Sequence, residues 1–392
     1  MYSYSQRLSW SFSSNPLTQL LIQKKAAGIP FLDLTVSNPT QCLSGYPHED
    51  IRNTFGRIRE FTYYPDPLGF HTARSVVADY YRERGVFISL NQLVLTASTS
   101  EAYSYLFKLL CDEGDEILAP LPSYPLFEYL AAFESVQTVP YHLRYDGTWY
   151  LDFTSLRARI NRRTKAIIVV NPNNPTGTFL SAEEHSELLN LGRQFSLPII
   201  SDEVFTDYSI MPGAPTAATF ADNDSVLSFS LNGLSKAAGM PQMKLGWIAL
   251  GGPAQARQEA RERLETIADT YLSVGTPVQH ALPDLLQIGS VIQQRLLQRI
   301  KQNLAIVDNL TKGTAVQPLH LHGGWSVILQ LPRTLTEEDW VRGLLQEENV
   351  LVQPGYFFDM ESEAYIVLSL IVPPDQFRKG TERICSYVSR HS

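Results

Sequence analysis

Cysteine is scarce: Cys42, Cys111 and Cys385 are the only three in 392 residues. Their odd number and wide spacing exclude a disulfide framework or a close-set zinc motif, so core thiols in a reducing compartment are expected. Basic charge is also in short supply. With 32 Lys and Arg against 40 Asp and Glu, the formal net charge is −8, which excludes the basic face that a phosphate backbone requires and sets nucleic acid aside as a partner. No run approaches the ~20 consecutive apolar residues that span a bilayer. Met1 to Trp10 lacks the basic start and apolar stretch of a secretory leader. A cytoplasmic protein without membrane association is the expectation. Repeats at periods of ~20–50 residues and low-complexity tracts are missing too, which excludes solenoids and tethered tails.

What the chain does have is apolar bulk, 44% of its residues, enough to bury the cores of two or three domains. From about Leu90, short apolar runs alternate with longer amphipathic ones. Leu93 to Ala97 reads as a strand. Glu101 to Cys111 carries helical spacing and is stopped by Gly114. Strands follow at Asp115 to Ala119, Ala166 to Val170, Pro198 to Ser201, Val226 to Ser230 and Trp247 to Leu250. A helix between them opens with Ser181 and Glu184 as a capping box. This alternation predicts an α/β fold with a mostly parallel sheet in a large domain over residues 46–285. Beyond it, a polar helix through Gln294 to Leu310 and strands around Trp325 to Leu331 and Tyr365 to Leu370 predict a smaller α+β domain, formed by residues 286–392 with 1–45.

Ligands of open α/β sheets lie beyond the carboxyl ends of the strands, so the loops there are the places to search. Thr96-Ala97-Ser98-Thr99-Ser100 enters a helix, where free N–H groups and the positive dipole end suit a phosphate, although Ser and Thr also serve as plain helix caps. Asn171-Pro-Asn-Asn-Pro-Thr-Gly177 rigidly presents amide side chains after a buried strand. Asp202-Glu203 ends the next strand, and Asn232-Gly-Leu-Ser-Lys236 follows the one after. A carboxylate, an amide, a lysine and a phosphate-binding turn thus converge on one sheet edge. His320 and His322 have no acidic or sulfur partner and read as strand residues, so no metal site is expected. The phosphate turn is too poor in glycine for a dinucleotide fingerprint.

The ordered set of motifs resembles the class I/II aminotransferases, which have the type I fold of pyridoxal-phosphate enzymes. It comprises the Asn171 to Gly177 turn, Ser201-Asp202-Glu203, Asn232 to Lys236 leading to Gly246-Trp247, Ser37-Asn38-Pro39, Tyr63-Tyr64-Pro65-Asp66-Pro67 with Gly69, and Pro354-Gly355 before Tyr365-Ile-Val-Leu-Ser369. The resemblance implies pyridoxal 5'-phosphate as cofactor, bonded to Lys236, which then moves the proton between substrate and cofactor. It further implies Asp202 as partner of the ring nitrogen, Asn174 at the phenolic oxygen and Tyr124 stacked on the ring. Ser98, Thr99 and Ser100 would bind the phosphate, with Lys244 nearby. Either Tyr63 or Tyr64 would reach the phosphate across a homodimer interface, Tyr63 being favoured by its spacing to Pro65. Ser37, Asn38 and Asn174 would contact substrate. An amino donor and a keto or aldehyde acceptor are the implied small-molecule partners.

Three positions depart from the family pattern. Phe205 stands where a tyrosine is common and cannot donate to the phenolic oxygen. Lys244 replaces an arginine, keeping the charge and losing the bidentate fork. Val367 stands where the family has the arginine that clamps the substrate carboxylate. Either Arg378, Arg144 or Arg7 substitutes from elsewhere, or the substrate is an amine or unusual amino acid without that contact. Related chemistries on the same fold, β-elimination, decarboxylation or oxidation, remain alternatives. A regulator or inactive scaffold is disfavoured by the joint presence of Lys236, Asp202 and Asn174, and by too few basic residues in 1–45 for a DNA-binding domain.

Overall fold

A computed structural model describes the chain apart from residues 1, 3, 9–14, 211–218 and 363, so Met1 and Trp10, which bound the stretch searched for a leader, lie outside the described residues. Its main layer is an eight-stranded sheet built from β1 (Leu93–Thr96), β2 (Glu116–Leu121), β3 (Gln137–Tyr145), β4 (Trp149–Leu151), β5 (Thr164–Val170), β6 (Ile199–Asp202), β7 (Ser228–Gly233) and β8 (Gly246–Gly251). The order across the sheet is β1-β8-β7-β6-β5-β2-β3-β4. Within this sheet β8 and β4 run antiparallel to their neighbours and the rest run one way. Every residue of β1, β7 and β8 is buried, because helices cover both faces; β1 and β8 are accordingly near-continuous apolar runs, whereas β7 buries Ser228, Ser230 and Asn232 as well.

The strands found lie within a few residues of their sequence positions, with two instructive differences. β2 runs on through Pro120, which pairs with Tyr141. The hairpin β3–β4 at the sheet edge escaped the sequence pattern, since its outer half is exposed and polar. Helix α1 (Thr99–Leu110) starts where Ser98 Oγ accepts the Glu101 N–H at 3.1 Å. Helix α2 (Ala182–Phe195) opens with the expected capping box: Ser181 Oγ accepts from the Glu184 N–H, and Glu184 Oε2 accepts from the Ser181 N–H at 2.8 Å. Helix α3 (Thr276–Thr311) is 36 residues long and begins well before Gln294, because Pro277 occupies its first turn and Pro283 is absorbed in its body. Its Gly289 allows close packing, as a Cβ there would stand 2.4 Å from that of Ala238, beside the Lys236 turn.

A second, antiparallel sheet contains β9 (Gln317–Pro318), β10 (Ser326–Gln330), β11 (Gln353–Pro354) and β12 (Tyr365–Ser369), in the order β9-β10-β12-β11. The N-terminal segment joins it through Leu34, whose N–H donates to Leu351 and whose carbonyl accepts from the Ser369 N–H at 2.8 Å.

Gly177 fastens the Asn171 to Gly177 turn to the chain entering β10. Its carbonyl accepts from the N–H groups of His322 and Gly323, and at φ +67 a Cβ would stand 2.4 Å from the Gly323 oxygen. Gly177→Ala is therefore expected to destabilise the protein by at least about 1–3 kcal/mol, the cost of a strained left-handed residue before any clash. Denaturant unfolding measures this, and an unchanged midpoint would mean that the turn relaxes freely.

Candidate active site

The edge where β1, β2, β5, β6 and β7 end brings the singled-out loops to one side of the sheet. Lys236 lies in the helical turn Leu234–Ala237 directly after β7. Its Nζ is 4.6 Å from the ring centre of Trp325 and 5.4 Å from that of Phe205. Those rings meet edge-on at 5.4 Å, and Tyr208 packs 5.0 Å from Trp325. The Tyr208 hydroxyl donates to the Lys236 carbonyl at 2.7 Å, fixing the turn. Burial pushes the amine down to about 8, with the charge of Asp202 opposing the shift.

Asp202 ends β6. Burial pushes its carboxyl up to about 6, against hydrogen bonds from the Val204 N–H at 3.2 Å and the Tyr103 hydroxyl at 3.1 Å, and against the charge of Lys236. Glu203 points elsewhere: it accepts from Thr219, Ser230 and the Phe220 N–H, and burial lifts it to about 7. Tyr103, a buried residue of α1, was not singled out in the sequence; at helical spacing from Phe107 it is indistinguishable from any core aromatic. Tyr103→Phe leaves Asp202 with fewer donors to its ionised form, so its protonation midpoint is expected to rise. Infrared titration of the carboxyl band in cofactor-free protein, assigned by difference against Asp202→Asn, reads this; a midpoint at or below that of the unsubstituted protein would contradict it.

The other expected site residues are placed as follows. Asn173, not Asn174, holds the turn together, accepting from Thr176 and donating to the Pro122 carbonyl. That leaves Asn174 half-buried, with its Oδ1 accepting from Ser326 Oγ at 3.4 Å. Ser98 Oγ is committed to capping α1, while Thr99 and Ser100 occupy the first turn, whose N–H groups have no partner within the helix. Lys244 is exposed at φ +51, two residues before Gly246, which pairs with Thr96, so the register sets it beside the Ala97–Ser98 turn. Phe205 is buried, and Tyr124 is 51% exposed after β2.

Tyr63 and Tyr64 are 71% and 69% exposed and border a cleft lined by Asp66, Leu95, Tyr105 and Gln279, apart from the Lys236 enclosure. Ser37 is exposed, and Asn38 caps the turn Pro39–Cys42 by accepting from the Thr40 N–H and hydroxyl. Val367 is buried among Leu118, Ile328 and Phe358. None of the three arginines considered as substitutes is brought to it by a hydrogen bond or ion pair: Arg144 is held by Asp152 and Glu361, Arg7 donates to the Phe133 carbonyl, and Arg378 is exposed on Pro374–His391. Among the described residues no cluster of three or more His, Cys, Asp or Glu could hold a metal ion. The three cysteines are free, and burial raises Cys42 to about 11 and Cys111 to about 12, as inert thiols require. No helix among the described residues is long and apolar enough to cross a membrane.

Comparison with known proteins shows the family. The chain is 26% identical to the glutamate-pyruvate aminotransferase AlaA of Haemophilus influenzae over 95% of its own length and 94% of the relative's. It is 30% identical to that of Escherichia coli, over 66% of this chain and 64% of the other. Among solved structures, an alanine aminotransferase from Pyrococcus furiosus superposes with a TM-score of 0.88 at 25% identity, covering 99% of this chain and all, 100%, of the other. An aspartate aminotransferase from Thermotoga maritima gives 0.83 at 20% identity, covering 98% and 100%, and shares the fold. A family model described as aminotransferase class I and II matches residues 31–384. The chain therefore belongs to the class I and II aminotransferases, enzymes of fold type I that depend on pyridoxal phosphate.

Proposed function

We propose that Lys236 is the catalytic residue and that the site transfers an amino group from an amine or amino acid to a keto or aldehyde acceptor. The observation that carries this reading is the enclosed Lys236 amine, lowered to about 8 and electrostatically coupled to a buried carboxylate. The residues fit pyridoxal phosphate: an amine that loses its proton near neutrality, a buried acid to pair with a ring N–H, an amide, and a helix N-terminus for a phosphate. When bound, the cofactor supplies the electron sink that makes the substrate Cα–H acidic.

Lys236 Nζ would be the amine that holds the cofactor and, when free, the base that takes the proton from the substrate Cα and gives it back. Asp202 would pair with the cofactor's ring nitrogen, and Tyr103 holds Asp202 in place. Asn174 would donate from its amide to the cofactor's phenolic oxygen, a bond that Phe205 could not supplement. The Thr99 and Ser100 amides with Lys244 bind the phosphate, Ser98 keeping their helix end in place. Tyr124 would stack on the cofactor ring. Trp325, Phe205 and Tyr208 keep water from Lys236, and Ser37 and Asn38 border the substrate. Residues 46–285 act as the cofactor domain, with 1–45 and 286–392 closing over it. The working form is a cytoplasmic homodimer in amino acid metabolism, in which Tyr63 of each protomer reaches the other's phosphate; their exposure in the single chain supports that role.

The relatives are named for glutamate and pyruvate, so these are the first pair to assay, followed by a panel of amines. With a donor alone, stoichiometric keto product with the cofactor left in its amine form is the expected result; with the acceptor added, turnover should continue. Release of ammonia, carbon dioxide or peroxide instead would assign the site to a lyase, decarboxylase or oxidase.

A further inference from the structure

The strand that carries Val367 presents an unused polar feature one rung away. Ser326 pairs with Ser369, and Ile328 with Val367. Directly opposed residues share a sheet face, as do residues two apart, so Ser326, Ile328, Val367 and Ser369 all project to one side. The Ser326 hydroxyl fixes that side by reaching Asn174 Oδ1 at 3.4 Å. Ser369 is 6% exposed, and its Oγ has no hydrogen-bond partner. Buried polar atoms are ordinarily paired, so the unpartnered Ser369 hydroxyl, opposite the Ser326 that reaches Asn174, has hydrogen-bonding capacity left over.

The surroundings define the charge of a group that could use it. Val367, with Ile328 opposite it, belongs to a closed apolar cluster. Arg299 comes near the end of the strand, but its Nη1 donates to the carbonyls of Cys42 and Ile371. A buried carboxylate needs a cation as well as hydrogen bonds, whereas a neutral hydroxyl or amide needs only the bonds.

We propose that Ser369 Oγ, flanked by Ser326 and Asn174, seats an uncharged hydrogen-bonding group of the donor substrate, a hydroxyl or carboxamide, where relatives seat a carboxylate. The inference rests on the aminotransferase reading of the site. It assigns the donor to the amino alcohols and amino amides.

The test uses the holoenzyme without keto acceptor and three probes of one carbon skeleton: alaninol, alaninamide and alanine. Their dissociation constants are measured by calorimetry. The two neutral amines are expected to bind at least about tenfold more tightly than alanine, the worth of a buried hydrogen bond with no offsetting unpaired charge. Ser369→Ala should erase that preference with the cofactor dissociation constant unchanged, and Ser369→Thr should retain it. Should Ser369→Ala not fold, Ser326→Ala takes its place with the same expected loss. Equal or tighter binding of alanine overturns the proposal, as does a preference that survives both alanine variants. Failure of transamination is separable: there, no amine form of the cofactor accumulates with any probe, whatever the order of binding.

Discussion

Lys236→Ala is expected to slow conversion of the cofactor to its amine form by at least about 10²–10⁴-fold, the contribution of one positioned proton-transfer group. Loss of the covalent link adds to that. Borohydride reduction followed by denaturation offers a readout independent of turnover: the unsubstituted chain should retain the cofactor on residue 236, and the variant should release it. Retention of label by the variant would place the attachment on another amine. Lys236→Arg should fail equally, since a guanidinium does not lose its proton in the working range.

Asp202→Asn should be nearly as damaging. Removing one partner of a buried charge pair costs roughly 3–5 kcal/mol, so cofactor affinity or half-reaction rate should fall by about 10²–10⁴-fold. The same substitution has the opposite effect on the empty protein. In the folded apoenzyme the carboxyl sits at about 6 against an ordinary 3.8. A raised carboxyl favours folding fully below the unfolded value, and that contribution is lost as pH rises through the folded one. Apoenzyme melting temperature should therefore fall between about pH 4 and 6, and fall less in Asp202→Asn. Above pH 6 the empty variant should be the more thermostable of the two. Glu203, lifted to about 7, prolongs the decline in both. Parallel melting curves for both proteins across this range would show that the site does not strain Asp202.

The sheet edge was legible because β1, β5 and β6 are short, mostly apolar runs ending in Thr96, Val170 and Asp202; β7 was read at Val226 to Ser230 and in fact runs over Ser228–Gly233, taking in the first two residues of the lysine motif. Periodicity and capping residues are local, and the helices from Ser98 and Ser181 declare themselves within four residues. Tyr103, Tyr208 and Ser369 were not legible. Each acts through a partner remote in the chain: Asp202 for Tyr103, Lys236 for Tyr208, Ser326 for Ser369. The polar helix was read only over Gln294 to Leu310, its second half; the first half contains Pro283 and Gly289, poor helix formers, and the tertiary contact with Ala238 gives Gly289 its place. Asn38 and Ser98 illustrate the reverse: the residues were visible, but their side-chain oxygens serve local turns.

Helix α3 touches both walls of the pocket. Gly289 rests on Ala238 beside the lysine turn, and Asn303 Nδ2 donates to the carbonyls of Leu370 and Val372 just past β12. Fourteen residues of helix separate the two contacts, about 21 Å at ~1.5 Å per residue. A tilt of one degree about the glycine would carry the Asn303 end about 0.4 Å, comparable with the spread of ordinary hydrogen-bond lengths. The lysine turn and the chain just past Ser369 thus share one support, so a bulkier residue at 289 is expected to disturb both ends of it.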